Sequence, residues 1–295
     1  MHAPGPATFD VPYGTCDSHV HVFGPFDQFP LAATRSYTPP PAVTSDLIAR
    51  MDMAAVTRAV IVQPSGYGTD NRCTLDAVRS HPDRLRAVAV IAGTESDADL
   101  KRMHEGGVRG IRLNILSGGG PTAASLRDTI TAIARRIQPF GWHIQIYAPL
   151  ATIAENAGLL SDVPVDIVID HMGKPNAAAG PSQPGFDTLL GLLRSGKFWV
   201  KISGPFRISP DLMGNAAVVK IARALIEANP DRAVWGSDWP WLGEHSGTTG
   251  AHSPIGYRPI DYGALLSLAP DWAGSPANLR KLLADNAARL YGFTV

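Results

Sequence analysis

Eight short apolar runs, all but the first followed by a loop and a stretch of helical periodicity, constrain this chain more than any other feature of its sequence. They are Thr15 to Val22, Ala59 to Gln63, Leu85 to Ile91, Val108 to Asn114, Trp142 to Tyr147, Val165 to His171, Phe198 to Ser203 and Ala233 to Asp238. Continuous apolar runs of this length are the mark of parallel strands buried on both faces. Between them the periodicity predicts helices at Thr69 to Ser80, Asp97 to Glu105, Ser125 to Phe140, Thr152 to Ser161, Phe186 to Ser195 and Met213 to Asn229, with a last helix from Ser275 to Tyr291. That alternation is the count of an α/β fold of the (β/α)8 TIM-barrel type. Such barrels use about 250 residues as one unit, so residues 1–295 are read as a single, distorted barrel domain. The Pro-rich stretch Phe23 to Thr44 and the Gly/Ser/Pro-rich stretch Trp239 to Pro259 break the rhythm, and both are expected to be loops on the catalytic face. The patch Asn176 to Pro184 is expected to be a flexible loop without a role.

Composition removes several function classes. Lys plus Arg and Asp plus Glu both total 26, so no long-range field favours nucleic acid or an anionic membrane. Cys16 and Cys73 are the only cysteines, without CxxC or CxxH spacing, which argues against a disulfide framework and a thiolate zinc site. The first residues lack the pattern of a signal peptide, and no run approaches the roughly 20 apolar residues of a membrane span, so a cytoplasmic location is expected. Nothing in the sequence fixes an oligomeric state.

Three motifs carry chemistry. In Asp17-Ser18-His19-Val20-His21, alternate residues of the first strand send two imidazoles toward the barrel axis. His171 ends the sixth run, and Asp238 ends the eighth within Gly236-Ser237-Asp238-Trp239-Pro240. Strands one, six and eight of a barrel bring such residues together at one mouth, where Asp238 is the natural general base.

HxH on the first strand, His after VID and GSDWP on the last, with Asp285 to Phe293 (DNAARLYGF) closing the chain, resemble the amidohydrolase superfamily in its amidohydrolase-2 branch. Within that branch the order of motifs is most similar to the lactonases that include 2-pyrone-4,6-dicarboxylate lactonase. The resemblance extends over Arg35 to Pro39, Gln63 to Gly68, Asp70-Asn71, Gly110 to Asn114, Tyr147, Ser203-Gly204 and Arg207. It implies a carboxylic ester hydrolase that opens a small acidic lactone (a pyrone, muconolactone or sugar-acid lactone) without a required metal, in the catabolism of aromatic or sugar acids. It also implies substrate binding by Arg112 and Arg207, whose guanidiniums suit carboxylates, and by Tyr37, Ser65 and Tyr147.

Two departures from the family pattern matter. The middle strand offers Gln145 in place of Lys or Glu, and the seventh offers Lys201 and no second histidine, which counts against a binuclear metal centre. A single zinc held by His19, His21, His171 and Asp238 stays open as the alternative cofactor reading. Where pyrone lactonases carry a further arginine, this chain runs Ile115 to Gly120 without a basic side chain, so a substrate with one acidic group, or a differently placed second one, is expected. In the expected mechanism Asp238 takes a proton from water while some of His19, His21 and His171 stabilise the oxyanion. The rival readings are a metal-dependent decarboxylase or hydratase of the same branch, a metal-independent sugar-lactone isomerase, and a non-catalytic binder on a degenerate barrel.

Overall fold

A computed structural model describes residues 5–114, 126–243 and 254–294. Eight parallel strands form one sheet in sequence order, β1 (Cys16–Val20), β2 (Arg58–Val62), β3 (Leu85–Ala89), β4 (Val108–Asn114), β5 (His143–Tyr147), β6 (Ile167–Ile169), β7 (Phe198–Ser203) and β8 (Ala233–Gly236). Helices α1 (Thr44–Met53), α2 (Arg72–Ser80), α3 (Asp97–Glu105), α4 (Leu126–Ile137), α5 (Leu150–Glu155), α6 (Ala157–Asp162), α7 (Phe186–Arg194) and α8 (Ala216–Ala228) lie between them. Among the described residues four short α-helices follow the last strand: α9 (Tyr262–Leu266), α10 (Ala269–Ala273), α11 (Pro276–Arg280) and α12 (Asn286–Tyr291). This is the expected (β/α)8 barrel, and no described helix is long and apolar enough to cross a membrane.

Alternation along the strands sorts side chains into two layers. Ala59 and Ile61, Ile144 and Ile146, and Val200 and Ile202 join the main core, where helices such as α8 lay down Val218, Ile221, Ala222, Leu225 and Ile226 at helical spacing. Val60, Val62, Val88, Val168, Trp199 and Val234 form a second cluster with Tyr291 and Phe293 from the C-terminal end. On β5 and β7 the corresponding positions are polar: Gln145 and Lys201 are wholly buried and His143 nearly so. Polar groups on otherwise apolar strands are the structural origin of the site.

The barrel closes where β8 meets β1. Ser237 N–H donates to Asp17 Oδ1 at 2.8 Å. Asp238 N–H donates to the His19 carbonyl and His21 N–H to the Trp239 carbonyl, both at 2.8 Å. Asp17 is itself anchored by the Tyr262 hydroxyl at 2.8 Å. The first strand is shorter than the run suggested, and His21 lies just past it, held by this seam rather than by the ladder.

Other departures have local causes. The expected helix Thr152 to Ser161 is two helices meeting at Asn156, whose side chain bonds back to the Thr152 carbonyl. The segment from Pro276 to Tyr291 passes through a π turn at Lys281–Asp285. The patch Asn176 to Pro184 is not the loose loop expected of it. Gln183 bonds the Asn176 N–H and the Asn176 and Gly180 carbonyls, and Ala177 N–H reaches the Ile208 carbonyl, so the segment is stapled in place.

Gly236 explains how tightly the seam is drawn. A Cβ at this position would stand 2.8 Å from His19 Cβ and 3.0 Å from His19 N, atoms that cannot move without moving β1. We expect Gly236→Ala to destabilise the protein by about 1 to 3 kcal/mol through overpacking, read as a lower midpoint in urea unfolding. An unchanged midpoint would show that β1 yields freely at this contact.

Candidate active site

Three imidazoles and one carboxylate meet at the C-terminal mouth of the barrel. The Nε2 atoms of His19, His21 and His171 lie 3.7, 3.6 and 3.8 Å from Asp238 Oδ1. These distances exceed direct hydrogen bonding. His19 Nε2 and Asp238 Oδ1 are both buried and make no hydrogen bond among the described residues. Both turns that present the site residues are backbone-strained, with φ +48° at His171 and +60° at Asp238. Such conformations cost roughly 1 to 3 kcal/mol each and persist only where surroundings over-determine them.

The other atoms of these groups are anchored. His21 Nδ1 donates to the Val62 carbonyl at 2.7 Å, since that oxygen can only accept, so in a neutral ring Nε2 is an acceptor. His171 Nδ1 meets Ser203 Oγ at 2.9 Å. Asp238 Oδ2 accepts from Arg207 Nε at 2.8 Å. Burial raises the Asp238 carboxyl, but the nearby Arg207 guanidinium and the surrounding imidazoles together outweigh it and hold it well below the ordinary carboxylate range. Burial lowers the His171 imidazole to about 4, with Asp238 and Asp170 opposing.

Beneath this layer lies a buried ionic network that sequence reading did not single out. Asp170 Oδ1 is 3.2 Å from His19 Nδ1, and Asp170 Oδ2 accepts from Gln145 Nε2 at 3.0 Å and Arg112 Nε at 3.4 Å. Lys201 Nζ donates to the Ser18 carbonyl at 2.7 Å and to Gln145 Oε1 at 2.6 Å. Burial raises the Asp170 carboxyl, yet the His19 contact, Lys201 and Arg112 outweigh it and keep it ionised. Burial lowers the Lys201 ammonium to about 8, still charged at neutral pH. Arg112 and Lys201 thus stand against Asp170 and Arg207 against Asp238, while Asp17, held by Ser237 N–H and the Tyr262 hydroxyl, is raised by burial to about 6. The signal for Asp170 in the sequence is a carboxylate interrupting the apolar run VDIVIDH, next to a histidine already chosen.

Every sequence-predicted substrate residue reaches one pocket. Tyr37, Ser65, Arg112, Tyr147 and Arg207 line it together with His21, His171, Asp238, Asn114, Phe23, Pro64 and Leu242, around about 400 Å³ of space partly open to solvent. The two long loops meet above it, where Thr38 pairs with Pro254. Ser65 Oγ donates to the Tyr37 hydroxyl at 3.3 Å, and Gly66 N–H reaches the same oxygen at 3.3 Å. The Tyr147 hydroxyl accepts from Lys174 Nζ at 3.2 Å, and its ring lies under the Arg112 guanidinium at 5.2 Å. Each arginine uses Nε on a site carboxylate, and no hydrogen bond to its terminal nitrogens is found among the described residues. The stretch Ile115 to Gly120, where a further arginine is missing, lies outside the described residues.

The donor set fits one divalent ion: the ligand atoms of His19, His21 and Asp238 lie within 4.8 Å of one another, as do those of His19, Asp170 and His171. A second ion does not fit, because the Lys201 ammonium and the Gln145 amide fill the interior behind His19.

The amidohydrolase family pattern Amidohydro_2 matches residues 16–293. The 2-pyrone-4,6-dicarboxylate hydrolase of Comamonas testosteroni is 35% identical over 297 residues, covering 98% of this chain and 93% of that protein. A 4-sulfomuconolactone hydrolase of Hydrogenophaga intermedia is 35% identical over 294 residues, covering 99% and 93%. Among solved structures, a probable 2-pyrone-4,6-dicarboxylic acid hydrolase from Acinetobacter baumannii with citric acid bound superposes with a TM-score of 0.78 at 27% identity, covering 95% of this chain and all of that one. With its barrel, its histidine and aspartate motifs and a match over nearly its whole length, the chain belongs to the amidohydrolase family.

Proposed function

We propose that this protein hydrolyses a small lactone bearing a carboxylate, using Asp238 as general base and requiring no metal ion. The observation that carries the reading is the convergence of three Nε2 atoms on Asp238 Oδ1, directly below a pocket lined by two guanidiniums. Similarity to two lactone hydrolases and to a structure holding a tricarboxylic acid supports the substrate class.

A water molecule bridging Asp238 Oδ1 and His21 Nε2 loses its proton to Asp238 as it attacks the lactone carbonyl carbon. His21 serves as acceptor there, because its Nδ1 proton is committed to the Val62 carbonyl. In this reading His171, which lines the pocket, and the buried His19 beside it donate to the carbonyl oxygen, where donors can supply roughly 3 to 4 kcal/mol each as charge develops. When the ring C–O bond breaks, Asp238 returns its proton to the leaving oxygen.

Asp238 in the free protein is too weak a base for this task, since Arg207 and the histidines depress it. A substrate carboxylate on the terminal nitrogens of Arg207 cancels part of that guanidinium's field and raises the proton affinity of Asp238 when the water must be activated. The substrate carboxylate therefore contributes to turnover as well as to binding.

Support for metal independence comes from the cations already set against the site carboxylates, Arg207 on Asp238 and Arg112 and Lys201 on Asp170, so no divalent ion is needed to offset them. The competing reading draws on the two unpartnered atoms His19 Nε2 and Asp238 Oδ1. There an ion held by His19, His21, His171 and Asp238 would supply Lewis acidity to the carbonyl oxygen.

Asp238→Asn is expected to lower kcat on a pyrone carboxylate or muconolactone by about 10²- to 10⁴-fold, with KM changed little. A variant that retains near-normal kcat removes Asp238 from the mechanism. Dialysis against a strong zinc chelator should leave kcat within about twofold, with sub-stoichiometric metal by elemental analysis; loss of activity restored by zinc sinks the metal-free reading. The pH profile carries a sign. The active form needs Asp238 ionised and His171 neutral, so kcat/KM is retained at neutral pH and falls only as pH drops to about 4 or below. Arg207→Met removes the cation that depresses both Asp238 and His171, and should move that acid limb upward by about 1 to 3 pH units. A limb that stays in place, or moves down, contradicts the coupling of Arg207 to the base.

A further inference from the structure

His19 is wholly buried, and each of its ring nitrogens faces a different charged group. Nδ1 meets Lys201 Nζ at 3.4 Å and Asp170 Oδ1 at 3.2 Å. Nε2 faces Asp238 Oδ1 at 3.7 Å. A neutral imidazole carries one proton, and these neighbours decide which nitrogen holds it.

With the proton on Nδ1, the hydrogen confronts the Lys201 ammonium. It also gains little from Asp170, whose Oδ1 accepts no well-directed hydrogen bond despite the short contact. The Nε2 lone pair would then point at the carboxylate of Asp238. With the proton on Nε2, both conflicts are relieved. Nδ1 accepts the third N–H of Lys201, whose other two go to the Ser18 carbonyl and Gln145 Oε1, and Nε2–H points toward Asp238. One unfavourable contact is left, the Nδ1 lone pair beside Asp170. That carboxylate is satisfied through its other oxygen by Gln145 and Arg112.

We propose that Lys201 holds His19 in the Nε2–H tautomer, which makes this imidazole a hydrogen-bond donor to the reacting oxygen and withdraws the lone pair a metal ion would need. Lys201 is thus a positioning residue: it is walled off from the pocket and acts through His19. Gln145 locks the arrangement from the side, accepting from Lys201 through one end of its amide and donating to Asp170 through the other. Donation to the lactone oxygen rests on the proposed hydrolysis, whereas the tautomer rests only on the contacts around His19.

The test is a long-range proton–nitrogen correlation spectrum of chelator-treated protein labelled with ¹⁵N in histidine, with His19 assigned by the signals lost in His19→Gln. The expected wild-type pattern is a protonated Nε2 and an unprotonated Nδ1; a protonated Nδ1 overturns the proposal, whatever lactone the protein proves to open. In Lys201→Met the pattern should invert, kcat should fall by about 100-fold with KM within about threefold, and zinc binding by calorimetry should tighten at least about tenfold. An Nε2–H pattern that survives Lys201→Met, or unchanged zinc affinity, also overturns it. If that variant fails to fold, the wild-type spectrum alone decides.

Discussion

The structure depends on the seam between β8 and β1. Three backbone-led hydrogen bonds, Ser237 N–H to Asp17, Asp238 N–H to His19 and His21 N–H to Trp239, close the barrel and define the site together. The chain that completes the cylinder is the chain that bears two of the three histidines and the carboxylate. Asp238 therefore reaches His19 through one pair of strands rather than through a series of packed elements, and errors of placement do not accumulate. Catalytic groups need positioning to within fractions of an ångström, and a rigid seam supplies it where a loop would not.

The seam places charges in a medium that penalises them. Asp170 and Asp238 are almost completely inaccessible to solvent, and an isolated carboxylate there would become neutral. Each is kept ionised by an arginine Nε, Asp238 also by imidazole contacts, and Asp170 also by Gln145 and Lys201. Such a network is costly to break, because removing one member leaves its partner buried and uncompensated. It also explains why the interior of β5 and β7 departs from the valine-rich layer found on β2, β3, β6 and β8.

Much of this was legible in the sequence, and what was not has a physical reason. The strands showed as apolar runs because both faces are buried, and the HxH, His and Asp motifs stood out against them. Asp170 escaped notice because its importance comes from His19, 151 positions earlier in the chain, and no local pattern records that contact. Arg112, expected as a substrate-binding residue, lines the pocket and also pairs through Nε with Asp170, a contact no local pattern in the sequence records. The short helices α9 and α10 could not be read from a Pro- and Gly-rich neighbourhood, since their stability comes from buried Tyr262, Leu265, Leu266 and Trp272 packing on the barrel rather than from propensity. Asn176 to Pro184 looked loose by composition, yet one glutamine satisfies its backbone.

The two arginines follow the same plan, and that likeness bears on how a substrate could tune the site. Arg207 joins the pocket to Asp238, and Arg112 joins it to Asp170, which borders His19. A carboxylate bound across both sets of terminal nitrogens would weaken both Nε contacts in the same step. Asp238 would become a better base, while Asp170 would exert a stronger pull on the proton of His19. The second effect opposes the donor role of His19, so the Lys201 ammonium has to hold the tautomer most firmly when substrate is bound. A buried lysine with two of its protons already fixed on the Ser18 carbonyl and Gln145 keeps its third near His19 Nδ1 at 3.4 Å, closer than Asp170 Oδ1 at 3.9 Å, which is the property that task requires.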